Sequence, residues 1–233
     1  MSGRGPRLIS VKRGTPIGSL AVGATVKLNV NSTPWEFLIV HQGLPSTLYD
    51  ASCDGTWLLM KDIYEKRAWN SSKSNRYKTS TVNTWLNGDF LGLFDGDIQS
   101  AIKQVKIPYC IGGGYSEVNS GANGLSCKVF LLSGPEVGWT TSDNKYFPVD
   151  GAKLDYFIAS SGGNSKRIAY RSGSAAVWGL RSPQTSRTDG VWNVRTDGSY
   201  NYDEGYYASN SYGIRPAIIL PPDFIVMDDM LAA

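Results

Sequence analysis

Histidine occurs once in this chain, at His41, and cysteine three times, at Cys53, Cys110 and Cys127. A single imidazole excludes a multi-histidine metal site, and no Ser or Cys lies near it in sequence to form a catalytic relay. His41 follows an apolar run at 37–40, where a structural role is expected. The three cysteines lack CxxC spacing, so they form neither a zinc signature nor an evident disulfide framework and read as buried free thiols. Long apolar runs are missing too: those at 37–40 and 217–220 are far too short to cross a bilayer, and no membrane insertion is expected. Arg4, Arg7, Lys12 and Arg13 precede no apolar stretch, so no secretory signal is read there.

Acidic residues are absent before Glu36, whereas Asp223, Asp228 and Asp229 close the chain. The net charge of +3 is therefore uneven. A basic terminus of this kind reads as a solvated arm, residues 1–20, that could anchor to a partner in a virion or at a surface; no nucleic-acid partner is expected. With 41% hydrophobic and 18% charged residues over 233 positions, the remainder suits one packed α+β domain.

The search for reaction chemistry excludes more than it finds. Ser172-Gly173-Ser174 lacks the strand-to-helix setting of a nucleophile elbow. Gly112, Gly113 and Gly114 form no phosphate loop, since neither the Lys-Ser/Thr ending nor a following helix is present. Asp54, Asp62 and Glu65 lack calcium-loop spacing, and Asp95 and Asp97 suit a helix start. Asp203 and Glu204 are adjacent carboxylates on a loop and are the nearest thing to a calcium site. The reading is of a protein without catalytic residues, metal or cofactor.

Alternation at 25–30 (TVKLNV) predicts a half-buried strand, and continuous apolar runs at 35–40 and 56–60 predict buried ones. Ser80 is a suitable N-cap for a helix carrying Val82, Trp85 and Leu86 on one face, with Gly88 as its stop. A second helix from Asp95 to Asp97 onward places Ile98, Ala101, Ile102 and Val105 on one stripe and ends before Pro108. Residues 128–133 (KVFLLS) predict a buried strand. Short strands follow at 177–181, 191–195, 199–202 and 214–220, with Asp197-Gly198 as a hairpin turn.

What is abundant lies near the C-terminus. Residues 177–218 hold five tyrosines, two tryptophans and many Ser, Asn, Gly and Thr, but no Lys, His, Cys or Met. Four Arg balance three Asp and one Glu, so the segment is a poor phosphate binder. Tyr offers a large amphipathic contact area with few rotors, and Ser, Gly and Asn offer adaptable hydrogen bonds, as in antibody paratopes.

Val177-Trp178-Gly179-Leu180-Arg181-Ser182-Pro183 and Ser211-Tyr212-Gly213-Ile214-Arg215-Pro216-Ala217 together resemble the W-x-L-R-S-P … G-[VI]-R-P-A pattern of variable proteins of phage and bacterial diversity-generating retroelements. Ser80, Trp85-Leu86-Asn87 and Phe90 resemble that family's first helix, and residues 128–133 with Glu136-Val137 resemble its central strand and turn. The resemblance spans about residues 20–222. It implies a C-type-lectin-like α+β fold, with two helices packed on small mixed or antiparallel sheets and a loop-rich C-terminal half. The domain would run 21–222, with 177–218 as its variable ligand-binding region and 223–233 as an acidic tail. Trp178, Leu180, Arg181, Arg215 and Pro216 would be the fixed frame. In such families adenine-directed mutagenesis rewrites Asn codons into most residues, but never Lys, Glu, Gln, Met or Trp. Thr185, Ser186, Arg187, Thr188, Asp189, Asn193, Arg195, Tyr200, Asn201, Tyr202, Asp203, Tyr206 and Tyr207 belong to the reachable set and are the expected displayed side chains. Gln184, Trp192 and Glu204 do not belong to it.

The implied ligand is a protein or glycan on a cell surface, met from a phage tail or a bacterial envelope. Two other readings stay open. One is a carbohydrate-binding lectin with an unvarying site. The other is an oxidase resembling formylglycine-generating enzymes, whose chemistry needs a copper-binding cysteine pair near the C-terminal pattern, where this chain has no cysteine.

Overall fold

In the computed structural model, which describes residues 14–159, 164–201 and 206–231, the alternating N-terminal segments form antiparallel ladders. Strand β1 (Gly14–Pro16) is followed by β2 (Thr25–Val30), β3 (Thr33–Gln42), β4 (Thr56–Met60) and β5 (Glu65–Ala68). β2 and β3 are joined by Asn31 and Ser32 at φ 51° and 57°. Two left-handed residues match the twist of a tight hairpin. Every residue of β4 is buried, which accounts for its unbroken apolar sequence.

Ser80 caps α1 (Thr81–Trp85), its hydroxyl accepting from the Asn83 amide at 3.2 Å. The helical path does not stop at Gly88. It continues through a π turn, Leu86–Phe90, and a 3-10 turn, Leu91–Leu93, which bury Leu86 and Phe90. α2 (Gly96–Ala101) is shorter than its apolar stripe suggests, and Val105 opens β6 (Val105–Ile107) instead. Short strands β7 (Tyr109–Cys110), β8 (Val118–Asn119) and β9 (Leu125–Cys127) follow, and after a long loop region β10 (Tyr170–Arg171) and β11 (Ser174–Ala175). The C-terminal part supplies β12 (Trp178–Pro183), β13 (Val191–Val194), β14 (Ser211–Ile214), β15 (Ala217–Leu220) and β16 (Ile225–Met227).

The architecture is mixed α+β, with little helix and mostly small sheets. One four-stranded sheet has the order β15-β4-β3-β2 and the other β13-β12-β14-β5; four two-stranded ladders complete it. The 214–220 run is thus two strands in different sheets. Pro216 has no N–H to continue a ladder. At this break the chain passes from one sheet to the other alongside 60–65, with the Met60 amide donating to the Pro216 carbonyl and the Tyr64 amide to the Ile214 carbonyl. Among the described residues no helix is long and apolar enough to cross a membrane.

Three further expectations are corrected. Residues 129–133 are buried and Lys128 half-buried, but the segment forms no strand. Their amides are taken by side chains: Lys128 and Val129 donate to Asn87 Oδ1, Leu131 to the Tyr77 hydroxyl and Ser133 to Glu136 Oε2. Phe130 makes one bridge, to Ala217, and the Leu132 carbonyl accepts from the Arg181 amide of β12. The domain also extends beyond 21–222 at both ends, because β1 pairs with β16 and Ile17 and Val226 are wholly buried. Finally, the return strand at 199–202 is reduced, within the described residues, to one bridge between Val194 and Tyr200.

One polar cluster sits inside the core. Arg181 uses all five of its N–H groups: Nε donates to the Pro108 carbonyl, Nη1 to Leu131 O and Glu136 Oε2, and Nη2 to Glu136 Oε1 and Asp150 O. Both Arg181–Glu136 contacts are 2.6 Å, and both side chains are fully buried. Burial disfavours the charged guanidinium of Arg181, but the Glu136 carboxylate, with Asp150 and Tyr49, outweighs this and raises its pKa. The Tyr49 hydroxyl donates to Glu136 Oε1, and the Ser182 hydroxyl to Asp150 at 2.8 Å.

Burial raises the Asp150 carboxyl from 3.8 to about 7, against the opposing pull of Arg181 and Ser182. Between those values the folded protein holds a proton that the unfolded chain releases. Stability from this group is therefore full below the unfolded value and is lost as pH rises towards 7, by up to about 1.4 kcal/mol per pH unit. Asp150→Asn should remove that slope between pH 5 and 7 in urea unfolding relative to the parent. Identical pH profiles for the two proteins would refute the assignment.

Candidate functional site

The C-terminal pattern divides into a buried frame and a loop face. Trp178, Leu180, Arg181, Arg215 and Pro216 are all buried. Trp178 Nε1 donates to the Arg167 carbonyl at 2.9 Å. Arg215 stacks on the Trp178 ring, 4.9 Å from its centroid, and its Nε donates to the Met60 carbonyl. Among the described residues its Nη1 is buried without a hydrogen-bond partner, and desolvation lowers the guanidinium to about 10, so it stays charged at neutral pH. The two arginines therefore differ. Arg181 joins a carboxylate and three carbonyls, and Arg215 joins one carbonyl and an aromatic face.

Between β12 and β13 the loop at 184–190 emerges from the frame. Its backbone is closed by the Gln184 amide donating to the Gly190 carbonyl at 2.9 Å. A residue far away in sequence does the rest. The buried Asn75 donates its backbone N–H to Thr188 O and its Nδ2 to the carbonyls of Arg187 and Gly190, with a longer contact to Gln184 O. Its Oδ1 accepts from the Gly113 amide at 2.7 Å. Gly112 and Gly113 have φ of 68° and 74°, and a Cβ at Gly112 would lie 2.6 Å from the Asn75 carbonyl oxygen. The glycines thus serve close backbone approach to Asn75.

Side chains on this loop are less constrained. Ser186 and Thr188 are exposed, and Thr185, Arg187 and Asp189 are half-buried, Arg187 pairing with Asp189 at 2.9 Å. Tyr207 is half-buried beside them, with Arg187 and Lys73 over its ring; Tyr206 stacks on Tyr212. Arg195, on the hairpin turn with Asp197-Gly198, donates to Asn201 Oδ1 at 2.8 Å.

Three expected displayed residues are not displayed. Asn193 and Asn201 are wholly buried, because β13 has both faces covered and Asn201 bonds back to it through the Asn193 carbonyl. Tyr200 is half-buried and packs edge-on against Trp139, Phe147 and Trp192, with its hydroxyl on the Asp143 carbonyl. Codon reachability carries no information about which strand faces are covered. Tyr202 and Asp203, and with them Glu204, lie outside the described residues. Asn75, Lys73 and Arg76 were not visible as site residues, since they sit in an ordinary polar stretch; the glycine triplet was the one signal of a tight approach.

No three His, Cys, Asp or Glu side chains gather to hold a metal among the described residues. Cys53, Cys110 and Cys127 are buried and free; burial pushes the Cys53 and Cys110 thiols up to about 12, so both are protonated at neutral pH. His41 Nδ1 lies 2.8 Å from Asp155.

These features define a small-sheet α+β domain with a polar loop face carried on a buried ionic frame. The chain belongs to the family described as Domain of unknown function (DUF6273), whose model matches residues 54–222. No curated protein matches the chain. No solved structure matches it either. The matched span begins just before β4 and ends after β15.

Asn75→Ala leaves the Arg187 carbonyl and the Gly113 amide without their partner and takes one of two donors from the Gly190 and Gln184 carbonyls. A loss of about 2–4 kcal/mol in urea unfolding is expected, since each unsatisfied buried group costs about 1–3 kcal/mol. A change within about 0.5 kcal/mol, the range of ordinary surface substitutions, would show that Asn75 does not hold the loop.

Proposed function

We propose that this protein is a ligand-binding display module, without catalytic activity, on a C-type-lectin-like scaffold. Its contact face is Thr185, Ser186, Arg187, Thr188, Asp189, Tyr206 and Tyr207, with Arg195 at the neighbouring hairpin. The ligand is a protein or glycan on a cell surface, met from a phage tail or a bacterial envelope. The observation that carries this reading is the division of labour around the 184–190 loop. Its backbone is pinned through carbonyls by Asn75 and by its own Gln184–Gly190 closure, and among the described residues the outward Ser186 and Thr188 hydroxyls donate no hydrogen bond to it. Such a loop accepts many side-chain sets, as a variable surface requires. Tyr207, flanked by two cations, adds an amphipathic anchor of the type that concentrates interface energy.

Joint replacement of Ser186, Arg187, Thr188 and Tyr207 should shift stability by less than about 2 kcal/mol, at about 0.5 kcal/mol each. The same variant should lose binding to a panel of bacterial envelopes and arrayed glycans. Trp178→Ala should instead cost about 3–5 kcal/mol. Unfolding of the fourfold variant, or binding equal to the parent, would refute the display reading.

A further inference from the structure

An open cleft of about 460 Å³ lies between the 73–76 turn and the tip of the 184–190 loop, lined by Lys73, Ser74, Arg76, Gly113, Thr188 and Asp189. Its size is that of a small-molecule site, about 300–1,000 Å³. Asp189 is the one carboxylate in the lining, and it is already paired with Arg187 Nε. Among the described residues, neither Lys73 nor Arg76 forms an ion pair. Lys73 leans over Tyr207, 4.8 Å from the ring centroid, and Arg76 makes only a long 3.4 Å contact with the Ile111 carbonyl. Arg76 lies flat against the glycine loop, where a Cβ on Gly113 would meet its Nη2 at 2.3 Å. The Ser74 and Thr188 hydroxyls donate no hydrogen bond among the described residues, and Asn75 ties both walls together.

Two cations without counter-charges, two hydroxyls and no apolar side chain in the lining describe a ligand that is anionic and rich in hydroxyl groups. An acidic peptide would want an apolar pocket for its neighbouring side chains, and this cleft has none. We propose that the cleft binds an acidic sugar residue, its carboxylate held by Lys73 and Arg76 and its ring hydroxyls by Ser74 and Thr188. This rests on the display reading and names the ligand class of that face. Residues 73 and 76 lie far from the C-terminal pattern, so the charge preference belongs to the scaffold while the loop tip can vary.

The test is calorimetric titration of the full chain with an oligogalacturonate, a neutral oligosaccharide of equal length and hexaglutamate. The uronate should bind, more weakly as salt rises, and the other two should not. Lys73→Ala and Arg76→Ala should each weaken uronate binding about tenfold or more, a loss of about 1.4 kcal/mol. Lys73 is exposed, so its variant keeps the test valid if Arg76→Ala disturbs the glycine loop. Absent uronate binding, equal binding of the neutral sugar or hexaglutamate, or an unchanged affinity in Lys73→Ala would overturn the proposal. If Lys73→Ala and Arg76→Ala retain binding to envelopes while the fourfold loop variant loses it, the display reading stands and the acidic-sugar assignment falls.

Discussion

The bidentate contact between Arg181 and Glu136 is the constraint on which the rest depends. A buried guanidinium and carboxylate are costly to desolvate, and they are tolerated only when the remaining donors and acceptors are also satisfied. Here they are. Arg181 reaches carbonyls at 108, 131 and 150, and Glu136 accepts from Tyr49 and the Ser133 amide. Segments lacking ladder partners of their own are thereby fixed relative to β12. Removing either member would leave an unpaired buried charge, a loss of about 3–5 kcal/mol. The ion pair thus substitutes for sheet hydrogen bonds in a domain whose ladders are mostly short.

From that frame the chain projects a loop whose geometry is decided elsewhere. Asn75 sets the carbonyls of residues 187, 188 and 190, and the glycine pair at 112 and 113 lets it approach. The aromatic cluster of Trp139, Phe147, Trp192 and Tyr200 closes the other side of β13, with Phe147 and Trp192 stacked at 3.9 Å. A surface built this way separates the contacts that hold shape from the side chains that face outward. On the proposed reading, that separation would let a charge preference from Lys73 and Arg76 coexist with a changeable tip.

Much of the fold was legible locally. The alternation of TVKLNV, the apolar block TWLLM and the Ser80 cap each specify their element through side-chain period or a nearby hydrogen bond. Local sequence could not show the break at Arg215-Pro216, because an apolar run on each side reads as one strand; Pro216 was the signal. Residues 128–133 read as a strand because burial and β-propensity are both present, while their amides go to Asn87, Tyr77 and Glu136. The burial of Trp178, Arg181 and Arg215 follows the motif that named them as frame. Within the C-terminal segment, composition did not distinguish the buried side chains from the outward ones. Asn193, Asn201 and Tyr200 share the polarity of their exposed neighbours and differ only in which surfaces pack over them. Asn75 is invisible for the same reason, since its role is set by contacts more than one hundred residues apart.

The central claim is that the loop's shape is independent of its outward side chains. Amide hydrogen exchange of residues 184–190 tests it most directly, measured in the parent and in a chain with Ser186, Arg187, Thr188 and Tyr207 all replaced. Protection at the amides of Gln184 and Arg187, which donate to the carbonyls of Gly190 and Gln184, should be the same in both proteins. Loss of that protection in the replaced chain alone would show that the side chains shape the loop, and the separation of frame from face would be wrong.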